Sequence, residues 1–147
     1  MLWVTRETIR INRSATAWLI RRFIDPAATF RFVPADQVAD VQRRDDARGF
    51  DAPGATYPHR DERGRCSFEA LVDEHCASDP ALVELGRIVH GADFPDEIAY
   101  AAESAGLRVI AYGFPLVTRD DHDTLERASF LYDALYASLR ARQGGAA

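Results

Sequence analysis

Imidazole and carboxylate groups recur where helix ends would hold them. His59 lies in a stretch without helical period. His90 closes one helical pattern with Asp93 three residues on, and Glu69 stands near the head of another. His122 and Glu126 are four apart at the start of the last helical pattern, which stacks them on one face. Ends of helices converge more readily than their middles. A shared site built from His59, Glu69, His90, Asp93, His122 and Glu126 would mix nitrogen and oxygen ligands, a set that suits a divalent zinc, manganese or iron ion. The spacing matches no dedicated metal motif. Each residue also has a local use: Asp93 can cap a helix, and His90 can face the last carbonyls of its own.

The second chemistry is anion binding. All eighteen basic residues are arginine, which removes Schiff-base chemistry and a phosphate-loop lysine together. Arg10, Arg13, Arg21 and Arg22 are the arginines of interest, and Arg21 with Arg22 is the pair assigned to an oxyanion. Planar guanidinium forks hold tetrahedral oxygens without changing protonation. Their competing use is pairing with acids such as Asp25. Cys66 heads a helix with Arg63 and Arg65 close by, so dipole and charge would lower its thiol pKa and make it the redox candidate. Cys76 reads as core. The chain contains no serine-histidine-aspartate, glycine-loop or paired-cysteine motif, so no catalytic residue is assigned and no nucleotide cofactor is expected.

Charge is unevenly spread. The first 65 residues carry 12 Arg against 9 acids, and the remainder 6 Arg against 14 acids. An anion would prefer the first part and a cation the second. With a net charge of −5 and no basic stripe, nucleic-acid binding by this domain alone is doubtful. No apolar run is long enough for a bilayer and no secretory pattern opens the chain, so a cytoplasmic protein with two free thiols and no membrane partner is expected.

These groups need elements to position them. Residues 1–5 and 8–12 read as extended. Ser14 reads as the cap of a helix through Trp18 to Ile24, stopped by Asp25-Pro26. Thr29–Val33 is the clearest strand, with Phe30 and Phe32 on one face. Residues 36–44 form a polar helix anchored by Val38 and Val41. Residues 45–65 form an irregular loop whose short strands would add to Thr29–Val33. Helices follow from a Ser67 cap, from Asp79-Pro80 to Gly91, and from Asp93-Phe94-Pro95 until Gly106. Another covers 107–112, and a last one starts at Thr118/Asp121 with the stripe Leu125, Ala128, Tyr132, Leu135, Leu139. The sum is a mostly helical α+β fold, a bundle of about five to six helices with a small N-terminal sheet. It forms one domain over 1–142, and 143–147 make a disordered tail.

Several stretches together resemble one family. Trp3-Val4-Thr5-Arg6, Trp18 through Pro26, Phe32-Val33-Pro34, His59, Cys66-Ser67-Phe68-Glu69, Asp79-Pro80-Ala81-Leu82, Ile88 through Asp93, Ala105-Gly106-Leu107, Asp120-Asp121-His122 and Tyr132 through Tyr136 occur in the order of the chromate-resistance domain that ends ChrB-type proteins. The chain carries Ala15-Thr16-Ala17 where that family often has Ala-Cys-Pro, so no role of that thiol carries over. The resemblance implies a cytoplasmic protein that binds chromate or a metal ion for sensing or resistance. The alternatives are a metal-dependent enzyme with a histidine and carboxylate site, and a protein-interaction module, with a homo-oligomer among its forms.

Overall fold

Trp3, Val4 and Thr5 are all buried, the mark of a strand covered on both faces. They belong to β1 (Leu2–Arg6), the centre of a three-stranded parallel sheet whose flanks are β2 (Thr29–Val33) and β3 (Arg48–Gly49). Trp3 aligns with Phe30 on one side and Arg48 on the other. Because neighbouring residues point to opposite faces, Trp3 joins the main core while Val4 joins a small one with Val38, Val41 and Ala52. The computed structural model describes residues 1–144.

Parallel neighbours require crossovers, and helices supply both. The first contains α1 (Asn12–Leu19), continued by a π-helical turn over Ile20–Ile24; the second contains α2 (Val38–Asp45), preceded by a short 3₁₀ turn. Every residue of α1 is buried, and its uncharged polar side chains pair internally. Asn12 Nδ2 donates to Ser67 Oγ at 2.8 Å, Thr16 Oγ1 donates to Asn12 Oδ1 at 2.9 Å, and Ser14 Oγ lies 2.7 Å from the Tyr132 hydroxyl. Trp18 packs against Phe23, Tyr132 and Tyr136. Asp25 closes the π turn and accepts a 3.0 Å hydrogen bond from Trp3 Nε1, which ties the crossover back to β1.

The rest is a bundle of α3 (Ser67–His75), α4 (Pro80–Asp93), α5 (Ser104–Val117) and α6 (Asp121–Gln143), with a 3₁₀ segment at Pro95–Tyr100. Helix α4 packs against α3, α5 and α6. Gly91 permits its closest approach, since a Cβ there would fall 2.4 Å from Ser104 Oγ. The outer face of α5 exposes Val109, Ile110, Leu116 and Val117. Among the described residues, no helix is long and apolar enough to cross a membrane.

The mostly helical α+β architecture with its small N-terminal sheet is as the sequence implies; several boundaries are not. Residues 8–12 form no strand: the chain turns at Thr8, in the left-handed region at φ 61°, and Ile11 precedes α1. Ser14 caps nothing, because its hydroxyl turns back to the Ile11 carbonyl at 3.1 Å. The short strand β3 adds to β1 rather than to β2. Cys66, not Ser67, caps α3, and α4 runs through Gly91 to Asp93. Gly106 lies inside α5. Asp120 caps α6 by accepting from Asp123 N at 2.8 Å, while Thr118 ends α5. Of the tail expected at 143–147, Gln143 is the last helical residue of α6, and 145–147 lie outside the described residues.

Candidate functional site

Four elements end around one cavity of about 340 Å³, lined by Arg6, Arg10, Ile11, Asn12, Arg13, Asp51, His59, Asp93, Pro95, Arg108 and Tyr112. β1 delivers Arg6 at its last position. The following turn is pinned from afar, as Asp121 at the head of α6 accepts hydrogen bonds of 2.8 Å from both Thr8 N and Ile9 N. That turn sets Arg10 and the N-terminal end of α1 with Arg13 against the cavity. Asp51 follows β3, held with φ at 51° after Phe50 N bonds Val4 O. Asp93 is the last residue of α4, and α5 contributes Arg108 and Tyr112.

Asp51 is nearly fully buried and densely partnered. Its Oδ1 lies 2.6 Å from His59 Nδ1, and its Oδ2 lies 3.3 Å from Arg6 and 4.0 Å from Arg13. Asp93 differs: it is 14% exposed, its Oδ2 has no hydrogen-bond partner, and the nearest cationic group to that oxygen is His59 Nδ1 at 3.5 Å. Burial first, then the Asp51 charge, pushes the Asp93 carboxyl up to about 6 against the pull of His59, Arg13 and Arg6. The hydrogen bond to Asp51 raises His59, and its partial burial opposes that.

The guanidinium groups are incompletely used. Arg10 Nε and Arg13 Nε are buried without partners. Arg13 is 9% exposed, and burial lowers its pKa. Arg10 lies over the Tyr112 ring at 5.2 Å, and Arg108 donates to the Ala92 carbonyl at 2.8 Å. Four arginines therefore face two carboxylates, one of them already shared by Arg6, Arg13 and His59. The local field favours an incoming anion.

A second group adjoins the first through α4. Ligand atoms of Cys66, Glu69 and His90 lie within 4.8 Å of one another, as do those of Asp51, His59 and Asp93. Glu69 accepts from Cys66 N at 3.1 Å and lies 2.6 Å from His90 Nδ1. His90 Nε2 faces Glu97, which Arg60 also holds. Here the redox expectation meets a correction: Cys66 is completely buried, and burial followed by the Glu69 charge pushes its thiol well above the usual range. Arg65, expected to lower it, is engaged with Asp61 and Asp73.

Residues 3–139 match the family model described as ChrB, C-terminal domain. The chain belongs to the ChrB C-terminal domain family. It is 37% identical over 136 residues to Protein ChrB of Cupriavidus metallidurans strain CH34, a match covering 91% of this chain and 39% of that protein. The chain thus spans well under half the length of this relative. No solved structure matches it.

In this ChrB-type domain the residues singled out from sequence separate into three places. His59 and Asp93 meet at the cavity, and Glu69 and His90 meet in the adjoining group. His122 and Glu126 belong to neither group: the His122 ring packs edge-on to Phe32 at 4.9 Å, and Glu126 pairs with Arg21 at 2.6 Å. Arg21 and Arg22 line a smaller cavity of about 140 Å³ with Trp18, Glu126 and Ser129, where Glu126 and Asp133 already hold them. Arg10 and Arg13, also of interest from sequence, are the ones left with free donors. Sequence reasoning missed Arg6, Asp51, Arg108 and Tyr112. Asp51 and His59 stand in a loop without periodicity, so only the fold reveals their contact.

Proposed function

We propose that this domain serves chromate resistance in the cytoplasm by binding a chromate-type oxyanion in the cavity rimmed by Arg6, Arg10, Arg13 and Arg108, for sensing or for lowering accumulation. One observation carries the reading: Arg10 Nε and Arg13 Nε are buried there without partners. Buried cationic donors left unpaired are costly, and a tetrahedral anion would accept from both. The N-terminal end of α1 adds its positive dipole to the same space. Membership of the ChrB family supports chromate as the anion. The test is calorimetry of the folded chain with chromate. Saturable heat that Arg10→Gln and Arg13→Gln each weaken about tenfold or more agrees with the proposal; no heat from the wild-type chain removes it.

A second reading, metal binding, is supported by the closeness of Cys66, Glu69 and His90. A thiolate, a carboxylate and an imidazole suit zinc better than manganese or iron. Elemental analysis of protein purified without chelator decides it, since near-zero stoichiometry leaves Glu69 as the reciprocal cap of Cys66 and the partner of His90.

A further inference from the structure

A buried carboxylate inside an arginine-lined anion cavity looks self-defeating, because it repels the ligand the arginines attract. Asp51 avoids the conflict, since His59, Arg6 and Arg13 surround it. Asp93 does not. It lines the same cavity, it is 14% exposed, and its Oδ2 accepts no hydrogen bond. The groups facing it are Asp51 and His59 from the loop, Arg6 from β1 and Arg13 from α1; Arg10, Arg108 and Tyr112 complete the lining. Within this constellation Asp93 is the acceptor that nothing in the protein fills.

An oxyanion with no proton offers only acceptor oxygens. Set beside Asp93, it would place two anionic acceptors together with no hydrogen between them. An oxyanion that retains a proton has one O–H to give, and its remaining oxygens accept from the guanidinium groups. Donor count and charge are then satisfied together.

We propose that Asp93 makes the cavity selective for tetrahedral oxyanions that still carry a proton, such as hydrogen chromate, hydrogen phosphate or hydrogen arsenate, and rejects fully deprotonated dianions such as sulfate. This rests on the oxyanion reading of the cavity and adds a specificity residue to it. A site built around a ligand's hydrogen bond discriminates strongly against an analogue lacking that hydrogen, because the buried group is left unpaired. Although raised to about 6, the Asp93 carboxyl is still ionised at pH 7.5, where the free site presents it as an acceptor.

The experiment is calorimetric titration of the intact chain at pH 7.5 in an amine buffer, with chromate, inorganic phosphate, arsenate and sulfate in separate runs. Phosphate and arsenate should bind about tenfold or more tightly than sulfate, and chromate, only a minor part of which keeps its proton at this pH, should fall between them. Asp93→Asn, whose amide can donate, should narrow or reverse that ratio, chiefly by strengthening sulfate. If sulfate binds the wild-type chain as well as phosphate does while chromate also binds, the selectivity is wrong and the oxyanion cavity survives. If none of the four binds, the cavity reading falls and takes this inference with it. The wild-type phosphate to sulfate ratio decides the matter even if Asp93→Asn does not fold.

Discussion

His59 Nδ1 lies 2.6 Å from Asp51 Oδ1, a contact that fastens the loop after β3 to the floor of the cavity. The raised pKa of His59 makes this contact pH-dependent. The stabilisation is fully present below the ordinary imidazole value of 6.5 and is lost as pH rises through the raised value in the folded chain. His59→Ala should therefore lower the melting temperature clearly at pH 5.5 and much less at pH 9. An equal loss at both would mean that the ring serves packing against Phe94 alone.

Asp93 carries the opposite sign. Its folded pKa, about 6, lies above the ordinary 3.8, so ionising it costs the folded state free energy. The cost is absent below about pH 4, develops toward pH 6, and is constant above that. Asp93→Asn should stabilise the chain at pH 7.5 by up to about 3 kcal/mol and leave it almost unchanged near pH 4. Urea titrations in a buffer free of oxyanions read both values.

The thiols should differ under a thiol reagent. Cys66 is buried with its thiol raised, whereas Cys76 is partly exposed. In the native chain Cys76 labels first and Cys66 only after denaturant is added. Rapid native labelling at Cys66, read by mass spectrometry, would restore it as a redox site.

Asp133 holds two partners from the first crossover, Trp18 Nε1 at 2.8 Å and the Arg22 guanidinium. Asp133→Ala strands the buried indole N–H and should cost about 1–3 kcal/mol of unfolding free energy. Arg22→Gln, which removes an exposed ion pair, should cost under about 1 kcal/mol and leave chromate affinity within about twofold. A large loss of chromate affinity in Arg22→Gln would move the oxyanion site to the smaller cavity.

Periodic segments were legible in the sequence because their burial follows their spacing. The α6 stripe of Leu125, Ala128, Tyr132 and Leu139 is buried, Val38 and Val41 anchor α2, and Phe30 stacks on Phe32 in β2. The start of α1 was illegible because Ser14, a good capping type, sits inside a fully buried helix and gives its hydroxyl to nearby carbonyls and Tyr132. His59 and Asp93 could be named but not joined. Their meeting depends on Asp51, a loop residue held in the left-handed region, and on Arg6 reaching it from the end of β1. Those contacts depend on tertiary packing, which local spacing does not encode.

The central place of β1 constrains how the molecule can be made. It leaves the ribosome before either flanking strand exists, and the turn after it waits for Asp121, more than a hundred residues later, to bind Thr8 and Ile9. Such pairings close long loops before any contact compensates them, which slows folding. A nascent chain halted before α6 would hold both crossovers and the sheet, but the turn that sets Arg10 and Arg13 against the cavity would still lack its anchor.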